Sequence, residues 1–136
     1  MINYAHGQDL NKHLWENRVV LIMTQNQDSK DYQDQIAEFY KFPSELKERK
    51  MLIYHVLPQR YTLINDAVDP EQNEWVSSSA LFDKFARKNV DFKVVLIGLD
   101  GGNKLEKNGL LSAEELFGTI DSMPMRRAEL NKKRNR

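Results

Sequence analysis

No cysteine occurs among the 136 residues of this chain. That absence removes disulfides, thiolate nucleophiles, zinc–cysteine sites and iron–sulfur clusters at once. It leaves the compartment open, because cysteine-free chains occur on both sides of a membrane. Charge of one sign is lacking too. Twenty basic and twenty acidic side chains cancel, so no global field draws the chain to nucleic acid or to an anionic membrane, and no nucleic-acid partner is expected. No apolar run approaches the ~20 residues of a membrane span; the longest, Val19–Met23, has the length of a strand. Residues 1–7 show neither the charged nor the apolar region of a signal peptide. The histidines are His6, His13 and His55. They fit no i, i+4 metal spacing on a helix, so they read as packed or surface imidazoles, and no metal or cofactor is implied.

What is present suits a small folded domain. The 40% hydrophobic and 10% aromatic content lies well above the disordered regime. A chain of this size buries about two-thirds of its unfolded surface, enough for one core without staples. Asp9 can cap a helical turn whose Leu10, Leu14 and Trp15 would hold the N-terminal segment on the body. Arg18–Thr24, Met51–Leu57 and Phe92–Leu99 are continuous apolar runs, the pattern of strands covered on both faces. Between the first two, Asp28 or Ser29 opens a helix with Tyr32, Ile36, Phe39 and Tyr40 at helical spacing, stopped by Pro43. A short helical turn follows over residues 44–50.

Residues 60–64 read either as an edge strand or as a surface segment, and residues 66–74 as an acidic loop. Ser77–Ser79 cap a further helix carrying Leu81, Phe82, Phe85 and Ala86. Asp100-Gly101-Gly102-Asn103 is a tight turn into a short strand over residues 104–107. Ser112-Ala-Glu-Glu115 is a capping box for a helix with Leu116, Phe117, Ile120 and Met123 on one face, interrupted at Pro124.

The order is β-α-β-α-β-β-α after an N-terminal helical turn. It predicts an α/β, thioredoxin-like three-layer sandwich on a mixed four-stranded sheet, with a parallel first pair and a terminal hairpin. A flavodoxin-like fold would need parallel strands throughout, which the Asp-Gly-Gly turn opposes. The expected extent is one domain over residues 1–130 and a basic, disordered tail over 131–136.

The strings Val94-Val-Leu-Ile-Gly-Leu-Asp-Gly-Gly-Asn-Lys104 and Glu115-Leu-Phe-Gly-Thr-Ile-Asp-Ser-Met-Pro-Met-Arg-Arg127 resemble the DUDES domain, a domain of unknown function. The resemblance spans about residues 9–130, with a looser match at Asn17-Arg18-Val19. It implies a thioredoxin-like fold related to peroxiredoxins and a bias toward export, periplasmic or secreted. Enzymes of that fold carry a reactive cysteine between the first core strand and the next helix. Here that segment reads Thr24-Gln25-Asn26-Gln27-Asp28, and no proline precedes the Phe92 strand. A thiol–disulfide or peroxidase role is excluded.

The candidate binding residues are Gln25, Asn26 and Gln27, polar amides at a helix N-terminus where free N–H groups accumulate, and Arg126 and Arg127. The plainer reading of the three amides is a helix-capping loop. The two arginines would pair with carboxylates or bind an anion, seated by Met123-Pro-Met125. Lys132, Lys133, Arg134 and Arg136 extend this charge into the tail, opposed by Glu129 alone. Asp66, Asp69, Glu71 and Glu74 lack the pattern of a calcium loop. Asp100–Asn103 lacks the lysine and following helix of a phosphate loop, and the serines have no nucleophile-elbow context. No catalytic set is legible. Two functions remain: a non-enzymatic module that binds a protein or a small anionic ligand, or a non-thiol enzyme or small-molecule binder in which the rim around Gln25–Gln27 converges with Arg60.

Overall fold

A computed structural model describes residues 9–64, 74–85 and 91–134. It is built on one mixed sheet of six strands in the order β4-β3-β2-β1-β5-β6. The strands are β1 (Arg18–Thr24), β2 (Met51–Val56), β3 (Arg60–Ile64), β4 (Val76–Ser77), β5 (Phe92–Ile97) and β6 (Asn103–Lys107). β1 and β2 run parallel, with Arg18 opposite Met51, while β5 and β6 are antiparallel to their neighbours.

Four of these strands, in the order β2-β1-β5-β6, reproduce the expected thioredoxin-like core. The sheet is nevertheless wider than four strands. Arg60–Ile64 pairs antiparallel with β2 and is covered in turn by the two-residue β4, so it is not the edge. Alternation explains why it joins: Tyr61 is buried on one face of the sheet, and the next side chain turns to the other. The acidic segment beyond it lies outside the described residues, apart from Glu74.

The helices are α1 (Lys30–Phe39), α2 (Pro43–Glu48), α3 (Ala80–Phe85), α4 (Ala113–Asp121) and α5 (Pro124–Arg134). Period-two alternation splits the strands between two cores. Val20, Ile22, Ile53, Val94 and Leu96 meet Tyr32 and Phe39 of α1, Leu46 of α2, and Leu116 and Ile120 of α4. Val19, Leu21, Met23, Tyr54, Val56 and Val95 meet Leu81 of α3 and Leu10 of the 3-10 turn Asp9–His13 on the other face. The result is three layers.

Capping matches the sequence. Ser29 Oγ accepts from the Tyr32 N–H and Ser112 Oγ from the Glu115 N–H. Glu115 then turns its carboxylate to Lys107 at 2.8 Å. Ser78 Oγ receives the Ala80 N–H, while Ala86 lies outside the described residues. Trp15 departs from expectation. It is 62% exposed and held in left-handed backbone at φ 67°, a conformation rare for a bulky residue. Its N–H donates to Leu99 O at 2.7 Å.

The C-terminal end is a second departure. Pro124 does not merely break the preceding helix; it starts α5, which runs on to Arg134 through the stretch expected to be unstructured. Proline fits the first helical position because its missing N–H would have no intrahelical partner there.

Candidate functional site

The upper end of the sheet, where β1 runs into α1, holds Gln25, Asn26 and Gln27. Thr24 Oγ1 accepts the Asn26 N–H and donates to Asn26 O, closing a two-residue turn. Asn26 Oδ1 accepts the Asp28 N–H at 2.9 Å, and Gln27 O accepts from Gln33 Nε2 at 2.7 Å. The Gln25 N–H donates to Asp91 O at 3.1 Å. Asp91 is the residue before β5, so the two segments that frame the thiol site of this fold are tied to each other.

Arg60 does come to this rim, where it meets Gln27. Its Nη2 donates to Gln27 Oε1 at 2.7 Å, and its guanidinium lies 4.2 Å over the Trp75 ring. The rim amides are thus engaged with the chain's own groups, in the manner of a structural turn.

Below the rim, His55 is fully buried on β2. Its Nδ1 meets Tyr32 Oη at 2.6 Å and its Nε2 meets Tyr40 Oη at 3.0 Å. Burial lowers its pKa to about 3 and raises that of the Tyr40 phenol. A neutral imidazole bridging two phenols satisfies both ring nitrogens. His13 bonds Tyr54 through Nε2 at 2.8 Å. Among the described residues no group of three His, Asp or Glu side chains is placed to hold a metal.

The lower end is chemically different. Arg126, a candidate binding residue, is only 3% exposed. Its Nε donates to Asp121 Oδ1 at 2.9 Å, while the two terminal nitrogens reach Glu48 at 3.4 Å and Glu129 at 3.5 Å. Arg49, just before β2, grips Asp121 through Nε at 3.1 Å and Nη2 at 2.8 Å. Arg18 opens β1 and bonds Glu129 through both terminal nitrogens, at 3.4 and 3.3 Å. It also donates to Arg49 O. Lys133 extends the network to Glu48 at 3.0 Å.

Burial alone would raise the Asp121 pKa, but hydrogen bonds from Arg49 and Arg126 hold it below the ordinary carboxylate value. The hydrogen bond from Lys133 lowers Glu48 likewise. So Arg126 is committed to carboxylates, whereas Arg127 is exposed. Met123 packs on the core, but Met125 is 41% exposed. Arg18 and Arg49 were not singled out in the sequence. Their one signal is an arginine at the mouth of each parallel apolar run, which the register brings together.

Beside this network lies a cleft of about 440 Å³ between the β5–β6 turn and the α4–α5 joint. Leu99, Met123, Pro124 and Met125 supply apolar wall. Arg18, Asp100 and Lys104 line it as well, with Thr119 and Ser122. Lys104 Nζ sits 3.0 Å from Asp100 Oδ2, and the Gly102 N–H caps the same carboxylate, holding its pKa down. Arg18 Nε is buried with no hydrogen-bond partner among the described residues. An orphaned buried donor costs about 1–3 kcal/mol, so its presence asks for an explanation. Among the described residues no helix is long and apolar enough to cross a membrane.

A thioredoxin-fold protein with no cysteine at the thiol position is the class these features define. The chain belongs to a family, the domain of unknown function DUF4174, which matches residues 9–129. Among solved structures it is similar to the reduced 2-Cys peroxiredoxin of Plasmodium vivax, with 13% identity and a TM-score of 0.57 over 88% of this chain and 83% of that one. The mitochondrial 2-Cys peroxiredoxin of Plasmodium falciparum is similar at 14% identity and a TM-score of 0.50, over 83% and 79% of the two chains. At such identities the likeness speaks for the fold alone. No curated protein matches.

Proposed function

We propose that this chain is a non-catalytic binding module whose working surface lies at the lower end of the sheet. The observation that carries the reading is the 440 Å³ cleft, which is of ligand-site size and combines apolar wall with a few polar groups. The state of the upper rim points the same way, because Asn26 and Gln27 are spent on turn and side-chain bonds. The placement of the chain with the DUDES domain rests on the strings 94–104 and 115–127 alone.

A panel of ester, phosphoester and peroxide substrates should show no turnover above buffer. Turnover abolished by Asn26→Ala or Gln27→Ala would overturn this reading and restore the rim as an active site.

A further inference from the structure

We propose that Asn108 is a self-modification site, at which the chain converts its own side-chain amide into a carboxylate. The proposal goes beyond the binding reading and does not rest on it. Among the chain's asparagines, Asn108 is the one followed by glycine. The pair lies just past β6, outside any helix or strand, with Asn108 exposed. Neither the Asn108 carboxamide nor the Gly109 N–H has a hydrogen bond among the described residues. A Cβ placed at Gly109 would meet nothing within 4 Å, so the Gly109 nitrogen is uncrowded from that side. Glycine also gives the local backbone the freedom that ring closure demands.

In mildly alkaline water the Gly109 N–H gives up its proton to hydroxide as its nitrogen attacks Asn108 Cγ. The new N–Cγ bond closes a five-membered succinimide. The Cγ–Nδ2 bond breaks, and the departing nitrogen takes a proton from water and leaves as ammonia. Water then opens the ring. Attack at Cγ leaves an aspartate on an unchanged backbone; attack at the main-chain carbonyl leaves an isoaspartate, with the chain running through the side chain. The balance is amide plus water giving carboxylate plus ammonium, with nothing oxidised or reduced.

Asn17, Asn26 and Asn103 show the protection that Asn108 lacks. Asn17 Nδ2 donates to Lys50 O, Asn26 Oδ1 accepts the Asp28 N–H, and Asn103 Nδ2 donates to Glu106 within β6. Each also precedes a residue that carries a side chain.

The span around Asn108 is pinned at both ends. Lys107 pairs with Val94. Gln35 clamps Leu111, accepting its N–H at 2.8 Å and donating to its carbonyl at 2.7 Å. The extra backbone methylene of isoaspartate is therefore absorbed between these ties, where Asn108 and Leu110 are exposed, and the sheet keeps its place. What changes is charge: the formal net charge, zero in the unmodified chain, falls by one. The loop leading into α4 thus carries a slow, one-way charge switch.

The test is ageing of the intact chain in mildly alkaline buffer, with peptide mapping by mass spectrometry to separate the Asn, Asp and isoaspartyl forms. Asn108 should convert about tenfold faster than any other asparagine, and within a few fold of its rate in urea. Gly109→Ala, which the open space accommodates, should slow conversion about tenfold without lowering the melting temperature. In ¹⁵N spectra the aged chain should shift amides within residues 107–111 and leave β1 and β2 unmoved.

A native chain that keeps Asn108 intact while the urea-unfolded chain loses it would overturn the proposal, as would no conversion in either state. So would equal rates at Asn108, Asn17 and Asn26, or a rate indifferent to Gly109→Ala. Shifts that spread into β1 and β2 would overturn the confinement of the change to this loop.

Discussion

At the upper end of the sheet, Thr24, Asn26 and Gln27 make mostly short-range bonds, within a few residues of themselves, and Asn26 stays in solvent. At the lower end, Arg18, Arg49 and Arg126 are nearly withdrawn from water and reach carboxylates far along the chain. Arg18 and Glu129 are 111 residues apart in sequence. The upper end is a turn built mostly from neighbours, with two longer ties, Gln25 to Asp91 and Gln27 to Arg60. The lower end exists only when β1, β2, α4 and α5 are all in place. In a thioredoxin-like scaffold the upper end normally carries the chemistry. Here it is a closed turn, and the costly polar groups have been invested at the other end.

Acid titration should separate the two ends most strongly. His55, beneath the upper rim, has a pKa of about 3 in place of 6.5. Below about pH 6.5 the unfolded chain protonates this imidazole while the folded chain does not, so stability falls as pH drops toward 3 and is fully present above 6.5. The loss over that window is about 4 kcal/mol. Urea midpoints between pH 7 and 4 should show it, and His55→Gln should flatten the slope. Asp121 and Glu48, whose pKa values are lowered, add their own loss only at lower pH, as each is protonated on passing its folded pKa. An acid profile unchanged in His55→Gln would show that the lower end alone governs acid sensitivity.

Arg126→Leu should cost about 3 kcal/mol in urea or thermal unfolding, because it leaves Asp121, Glu48 and Glu129 without a shared cation. The figure sits at the low end for a broken buried pair because those carboxylates retain contact with water. Asn26→Ala, at the upper end, should cost about 1 kcal/mol through the lost turn bond. If the two costs prove equal, the contrast between the ends is false. Lys133→Ala should change stability by under ~0.5 kcal/mol, since its side chain is 68% exposed. That small effect should vanish in high salt.

Much of the fold was legible because its signals are local. β1, β2 and β5 announce themselves as unbroken apolar runs, and Ser29 and Ser112 cap the helices they precede. β3 was ambiguous because its pairing depends on where β2 and β4 fall. α5 was misread because Pro124 carries two meanings, helix breaker and helix starter, and only the neighbours decide between them. Glu129 looked like one acid against many bases, yet it bridges Arg18, Lys50 and Arg126.

The candidate site was less legible still. Gln25–Gln27 are legible as the turn between β1 and α1, but nothing local reveals that Arg60 closes on Gln27. Arg126 was picked out with Arg127, although burial separates the two. The cleft was invisible, because a concavity is made by two distant segments meeting at an angle and has no signature in either one.

The placement of tryptophan gives each end its own optical signal. Trp15 and Trp75 are the chain's two tryptophans. One stands in solvent beside Leu99 at the lower end; the other lies beneath the Arg60 guanidinium at the upper end. An indole in water emits to the red and is open to collisional quenchers, whereas a half-covered indole under a cation is shielded from iodide on that face. Single Trp→Phe replacements would therefore turn this protein into two one-colour thermometers, each reading the melting of a different end of the same sheet.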